Sequence, residues 1–284
     1  MEEVRVLFWN VENFVGGESR TKEVKKHIQE FNPDVFCLCE IKDKVALRSL
    51  LMNELTEYDF GLTDGAQGIE LLAGWKREIF QQVLFTQRRE FKANQTRLRP
   101  GSLLNAKIND EWLSFLFLHT DSGTKIKDYQ NRQEMFEKIW SMKDVLDVVS
   151  SRQSTKLVVM GDLNTMGRSR SGQFKAVSAD KEITDLGGDA ELTKMKLLDK
   201  SQNITLAWKK WPSEKSYRLS NLDHVLATNN IELVDFKKSD GQSHPVQVSG
   251  WVDIEDETKR TDFIENISDH CSIRIKISLD NDSV

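Results

Sequence analysis

Leu157-Val158-Val159-Met160-Gly161-Asp162-Leu163-Asn164 is the most informative stretch of this chain. Four apolar residues in a row read as a strand buried on both faces, and the run stops in a glycine, a carboxylate and a carboxamide. In open α/β sheets, ligands bind beyond the carboxyl ends of such strands, so the strand and its polar ending point to one fold class together. Similar endings recur along the chain: Trp9-Asn10, Glu40, His119, Asp223 and Ser268-Asp269-His270.

Working outward, Val4 to Trp9 reads as a strand, and Thr21 to Phe31 carries Val24, Ile28 and Phe31 at helical spacing, with Ser19 as its expected N-cap and Pro33 as its stop. Asp34 to Cys39 returns as a nearly all-apolar strand, and Lys44 to Leu55 reads as a second helix. From Tyr58 to Phe117 the pattern becomes short strands with turn signals: Ile69 to Trp75, Ile79 to Phe85, Ser102 to Ile108 and Trp112 to Leu118, with a hairpin expected at Asn109-Asp110. A long helix is predicted over Asp128 to Val149, with Phe136, Ile139, Trp140, Val145 and Val149 on its apolar side. Thr165 to Gln173 reads as a loop, and Leu222 to Ala227, Ile231 to Phe236 and Cys271 to Ile277 as closing strands. Strand and helix alternation mixed with hairpins predicts an α/β fold in which helices cover mixed sheets, as one domain over residues 1–284.

The 284 residues, 38% hydrophobic and 30% charged, suit a chain with a sizeable core, and no apolar run approaches the roughly 18 residues of a membrane helix. Met1-Glu2-Glu3-Val4 begins acidic and passes straight into a strand pattern, unlike a secretory signal, so a cytoplasmic location is expected. Cys37, Cys39 and Cys271 sit in apolar runs and read as buried thiols; three cysteines make no disulfide framework, and no His or Cys cluster completes a zinc site. A formal net charge of −5 excludes broad electrostatic capture of nucleic acid while leaving local basic loops open to phosphate.

The set Asn10 and Glu12, Glu40, His119, Asp162 with Asn164, Asp223, and Asp269 with His270, in that order from Trp9 to His270, resembles the endonuclease/exonuclease/phosphatase superfamily. That resemblance implies a four-layer α/β sandwich, two packed mixed β-sheets flanked by helices, with the site at one rim. It also implies a Mg²⁺-dependent phosphoesterase, with Mn²⁺ as a substitute, in which activated water attacks phosphorus in line. A hard divalent cation prefers oxygen ligands, a carboxylate must deprotonate the water, and Asn and His donors must stabilise the transition state. Carried over, Glu40 becomes the principal metal ligand, with Asn10 and Glu12 around it and Asp269 completing the environment. Asp162 becomes the base, Asn164 positions the water, His270 oriented by Asp223 binds the scissile phosphate, and His119 contacts the phosphate or the leaving group. Within the family a nuclease-like phosphodiesterase is favoured; an inositol-phosphate or phospholipid phosphatase, or a non-catalytic binding module, are the alternatives. The partner expected is a phosphate-ester substrate, nucleic acid among them, and no protein partner is implied. Several positions depart from the family pattern: Cys39 stands where many relatives have Gln, Glu12 where some have Asp, Asn221 where Arg is common, and His224 where Tyr is usual.

Each residue also has a plain structural reading. Gly-Asp-Leu-Asn is a turn sequence, Ser268-Asp269-His270 a helix cap, and His119 a packed strand-end histidine. His224 alternates with Asp223 and should point to the opposite face. Arg168 and Arg170, just past Asn164, are the preferred phosphate contacts over Arg97 and Arg99, with solvated surface arginine as the competing reading. Trp9, Trp75, Trp112 and Trp140 read as core. Trp208 and Trp211 beside Lys209 and Lys210 form an aromatic and basic mixture suited to a nucleotide, a lipid surface or edge packing.

Overall fold

The computed structural model describes residues 3–42, 54–65, 68–150, 154–211, 213–237 and 241–279. The helix expected over Lys44 to Leu55 falls almost wholly outside them. One six-stranded sheet contains, from edge to edge, β15 (Gln247–Ser249), β16 (Ser272–Ser278), β1 (Glu3–Phe14), β2 (Val35–Ile41), β4 (Glu70–Lys76) and β3 (Tyr58–Leu62). A second contains β5 (Gln82–Arg88), β6 (Gly101–Ile108), β7 (Glu111–His119), β8 (Lys156–Asp162), β12 (Asp223–Thr228) and β9 (Met195–Leu197). Two short ribbons stand apart, β10 (Leu206–Trp208) with β11 (Arg218–Ser220), and β13 (Phe236–Lys237) with β14 (Ser243–His244).

Alternation along the strands makes the layers. Val4, Val6, Phe8, Cys37 and Cys39 face Phe115, Phe117, Val158, Met160 and Val225 in a core between the sheets. Their neighbours Leu7, Trp9, Phe36 and Leu38 turn the other way, onto Val24, Ile28 and Phe31 of α1 (Glu18–Phe31). On the far side of the second sheet, Leu116, Leu118, Leu157 and Val159 pack on Met135, Phe136 and Ile139 of α2 (Ile126–Val149) and on Leu186 and Ala190 of α3 (Ala179–Leu192). A short α4 (Glu257–Asn266) lies between Trp251 and the Ser268 turn. Helix, sheet, sheet and helix are the expected four layers, and the strands read as near-continuous apolar runs because both of their faces are covered.

The connectivity places the site. Each sheet is mixed and contains one parallel pair: β1 beside β2, joined through α1, and β7 beside β8, joined through α2. Parallel neighbours need a crossover, and their carboxyl ends then finish at one edge. Those ends carry Asn10, Glu40, His119 and Asp162.

Several elements differ from the sequence reading. Helix α1 starts at Glu18 with Gly17, φ 101°, at its cap, so Ser19 lies inside the helix. Strand β5 begins at Gln82 rather than Ile79. Ile231 to Phe236 is held to β16 by single bonds, Val234 N–H to Lys276 O and Ser278 N–H to Glu232 O, without forming a continuous strand. Val145 and Val149 of α2 are exposed, Val145 because it lies off the stripe of Ile139, Met142 and Leu146 that meets the sheet, and Trp112 is 41% exposed near the start of β7. Among the described residues no helix is long and apolar enough to cross a membrane.

Gly161 is where β8 comes closest to β7: a Cβ there would lie 2.2 Å from the Leu118 carbonyl oxygen. Gly161→Ala is therefore expected to destabilise the protein by about 2 kcal/mol, the usual scale of forced overpacking. Urea unfolding checks this, and an unchanged midpoint would contradict the close approach.

Candidate active site

At the rim where the two parallel pairs end, the carboxamide of Asn10 joins the sheets. Its Nδ2 donates to Glu40 Oε1 and to Asp162 Oδ2, each at 3.1 Å, and lies 3.4 Å from His270 Nε2. His119 Nε2 is 3.5 Å from Asp162 Oδ2 and 3.6 Å from Glu40 Oε1. Asp162 Oδ1 accepts the Asn164 backbone N–H at 3.1 Å, and Asn164 Nδ2 donates to Thr120 O at 3.2 Å. His270 Nδ1 pairs with Asp223 Oδ2 at 2.9 Å, and its Nε2 stands 3.8 Å from Asp162 Oδ2. Asn10, His119, Asp162, Asn164, Asp223 and His270 are all buried.

Local backbone distortion aims these groups. The β1–β2 register slips between Asn10 and Phe14, where Glu12 (φ 41°) and Asn13 (φ 47°) turn left-handed. The β2–β4 register slips between Cys39 and Ile41, at Glu40 with φ 65°, and Asn164 takes φ 45°. Bulges of this kind re-aim side chains next to active sites, and left-handed backbone at a non-glycine residue costs about 1–2 kcal/mol. Glu40 is anchored there by the Asn13 N–H on its Oε2 at 2.9 Å. Ser268 ties the last member to the first, donating to Asn10 O at 2.7 Å and accepting the His270 N–H at 3.0 Å.

Electrostatics separate the two histidines. Burial opposes charge on His270, but Asp223, with Asp162 and Asp269, outweighs it and raises its pKa well above the ordinary value, so the ring is an imidazolium. Burial, with Arg99 and His270 nearby, pushes His119 far down, so it is neutral. Arg99 Nη2 lies 3.2 Å from His119 Nε2, and His119 Nδ1 is buried without a hydrogen-bond partner. Burial, then Asp223 and Glu40, lift Asp162 to about 7 against the pull of His270. Asp269 rises to about 7 through burial and the charges of Glu12, Glu40 and Asp162, while Glu12 is raised by burial and Glu40. The second oxygens of Asp223 and Asp269, both Oδ1, are buried without a hydrogen-bond partner.

Ligand atoms of Glu40, His119 and Asp162 all lie within 4.8 Å of one another, close enough to share one cation. Asp162 and Asp269, crowded carboxylates with raised pKa values, together with the orphaned Asp269 Oδ1, fit the donor set a hard divalent cation relieves. Glu12 and Asp269 stand beside this trio, Glu12 Oε2 accepting the Asp269 N–H at 3.3 Å.

The remaining expected contacts are spread more widely. Arg168 stacks over Tyr129 and Phe174, with ring centroids at 5.1 and 5.5 Å, and Arg170 is exposed on the same loop. Arg97 forks onto Asp121 at 3.0 and 2.6 Å. Arg99, ranked behind Arg168 in the sequence, is the arginine that touches His119, while Arg20 donates to the Glu12 carbonyl; the β6–β7 pairing of Ser102 with Phe117, continued back past Pro100, sets Arg99 beside His119. His224 packs away from the site on Thr165 Oγ1 at 2.8 Å, as alternation requires. Two supports had no sequence signal: Thr205, whose hydroxyl accepts the Leu222 and Asp223 N–H groups, and buried Lys200, bonded to Asn221 Oδ1 and the Asp223 carbonyl.

A family model, described as Endonuclease/Exonuclease/phosphatase family, matches residues 7–270. The chain belongs to that family. It is accordingly a metal-dependent phosphoric ester hydrolase. No curated protein matches its sequence. Among solved structures, it is similar to D. rerio TDP2 complexed with single-strand DNA product, at 13% identity and a TM-score of 0.66, covering 97% of this chain and 99% of that one. TDP2 from C. elegans matches at 15% identity and 0.65, covering 97% and 75%. A mannosyl-6-phosphatase from Bacteroides thetaiotaomicron matches at 12% and 0.58, covering 97% and 100%. At such identities these neighbours establish the fold, the α/β sandwich of the family.

Two outcomes follow from the site. Because Glu40 occupies left-handed backbone, Glu40→Gly should unfold at a higher urea concentration than Glu40→Ala, by about 1 kcal/mol of stability; the reverse order would remove the strain argument. Asp162 and Asp269, raised to about 7 in the folded chain, bind protons more tightly there than when unfolded. Their contribution is full at acid pH and is lost as pH rises through about 7, where a divalent cation can replace the protons. Mg²⁺ should thus raise Tm more at about pH 8 than at about pH 6. Equal shifts at both would refute the competition.

Proposed function

We propose that this chain is a Mg²⁺-dependent phosphodiesterase of nuclease type, acting as one domain, in which water attacks phosphorus in line with no covalent enzyme intermediate. The observation that carries the reading is the central position of Asp162. It lies between a neutral His119 and a cationic His270, and the Asn10 amide holds its Oδ2. Glu40 and Asn10 would hold the cation, with Glu12 and Asp269 beside them, and the cation would supply Lewis-acid neutralisation of charge on the phosphoryl group.

Asp162, with a pKa near 7, is matched to take a proton from water near neutral pH. The Asn164 N–H fixes one of its oxygens, and the Asn164 side chain, tethered to Thr120 O, borders the path of the water. His270, kept charged by Asp223, offers its Nε2 proton to a non-bridging phosphate oxygen as negative charge grows there. Arg99 lies against His119 Nε2 and adds a guanidinium beside the site. Arg168 and Arg170 extend the positive surface beyond Asn164. A single guanidinium and one imidazolium suit the monoanion of a phosphodiester better than the dianion of a phosphomonoester. Cytoplasmic action fits this reading, since the thiols Cys37, Cys39 and Cys271 are all free.

The test is hydrolysis of single- and double-stranded DNA, RNA, inositol phosphates and bis(p-nitrophenyl) phosphate with Mg²⁺ or Mn²⁺. Chelator should abolish turnover, and Asp162→Asn should lower kcat by about a thousand-fold, within the range of a lost general base. Turnover unaffected by either, or confined to phosphomonoesters, would overturn the proposal.

A further inference from the structure

Two exposed ribbons leave the catalytic rim, and both are basic in a chain whose net charge is −5. The first is residues 168–177, where Arg168 and Val177 exchange backbone hydrogen bonds at 2.8 Å. It contains Arg168, Arg170 and Lys175 and no carboxylate. It starts four residues past Asn164 and is pinned, through Ser169 N–H to Thr124 O at 2.8 Å, to the loop that follows His119. The second is the β10–β11 hairpin, residues 206–220, with four cations against one carboxylate, Glu214. Its root is beside the other histidine: Leu206 bridges His270, and Ala207 N–H donates to Asp269 O at 3.0 Å.

Each ribbon presents an aromatic face among its cations. Phe174 is 41% exposed under the Arg168 guanidinium, and Trp211 is 61% exposed with Lys210 Nζ 5.7 Å from its ring. The hairpin is braced before any ligand arrives. Lys209 Nζ and Tyr217 OH both bond Glu265 Oε1 of α4, at 3.0 and 2.8 Å, and Arg218 lies over Trp208 at 5.2 Å. A braced hairpin does not have to be ordered on binding, which favours affinity.

We propose that the two ribbons are the binding platform for a single-stranded nucleic acid whose scissile phosphate lies at Asp162. One flanking nucleotide stacks on Trp211 and the other on Phe174, with neighbouring phosphates on Lys210 and Arg170. The inference rests on the phosphodiesterase reading of the site and adds its substrate class. Phosphates need cations and unpaired bases need ring faces; a duplex conceals its base faces. A lipid surface would call for a contiguous apolar patch, whereas each ring here stands among charges, with Glu214 beside Lys210 and Trp211.

The experiment compares wild type, Trp211→Ala, Trp211→Phe and Phe174→Ala on a single-stranded DNA oligonucleotide, its duplex and bis(p-nitrophenyl) phosphate. Fluorescence anisotropy of the labelled oligonucleotide on Asp162→Asn, with and without Trp211→Ala, measures binding apart from turnover. Each alanine variant should lower kcat/KM on the single strand about ten-fold, mostly through KM, with Trp211→Phe keeping most of it, in line with the strength of base stacking. The duplex should be the poorer substrate, and the small diester should be hydrolysed alike by all four proteins. Unchanged single-strand kinetics, an equal loss on the small diester, a duplex preference, or capture by phosphatidylserine vesicles in place of the oligonucleotide would overturn the platform. The two readings fail separately. Hydrolysis of the small diester without binding or cleavage of the oligonucleotide sinks the platform alone; Trp211-dependent oligonucleotide binding by a protein that hydrolyses no diester sinks the phosphodiesterase reading alone.

Discussion

Asp162 and Asp223 are register partners on adjacent strands, so two carboxylates face each other across the β8–β12 ladder in a buried setting. Like charges placed this way repel, and burial sharpens the repulsion. The surroundings answer with positive or hydrogen-donating groups, although Asp223 Oδ1 keeps no partner. His270 takes Asp223 at 2.9 Å, Lys200 holds the Asp223 carbonyl from below at 2.5 Å, and Asn10 brings an amide to Asp162 from the opposite sheet. The His270 imidazolium therefore favours a deprotonated Asp162, which ties the two residues into one electrostatic unit.

That unit exists because of how the sheets are wound. Among the described strands, the parallel pairs are β1–β2 and β7–β8, one in each sheet, and both end at the same rim. The antiparallel strands β12 and β16 bring Asp223 and His270 to that rim from the other direction. Residues from both sheets meet through side chains of ordinary length, and the inter-sheet core of Phe8, Phe117 and Met160 stops just short of them.

The sequence exposes this framework unevenly. Strands β2 and β8 are legible because both faces are buried and their residues run apolar without interruption. The β6–β7 hairpin is legible from Asn109-Asp110, which take φ 47° and 64° at the turn. Helix α3 is not: Asp-Leu-Gly-Gly-Asp in its middle is poor helix sequence, and what holds it is Leu186 and Ala190 on the second sheet and Glu182 bonded to buried Arg132 at 2.9 Å. Helix α4 is short and polar, with only Ile264 buried, and leaves no periodic trace. That the candidate residues at strand ends come together could be read because parallel strands finish at one edge. The bulge that turns Glu40 could not, since glutamate carries no preference for left-handed backbone. Nor could the closeness of Arg99 to His119, which depends on a pairing register, while Arg97 two residues earlier is spent on Asp121.

The pairing of β1 with β16, Glu3 opposite Ser278, has a consequence for the newly made chain. Strand β1 sits in the interior of its sheet, and one of its two neighbours, β16, is made long after it, with Phe8 opposite Ile273. Until residues 268–278 emerge, Asn10 lacks the Ser268 hydroxyl, Asp223 lacks its imidazolium, and one long edge of β1 stays open. An incomplete translation product is thus a protein without its histidine cation and with an unpaired apolar strand, a form suited to capture by chaperones and to degradation. Phosphate-ester cleavage can begin only once residues 268–278 have paired with β1.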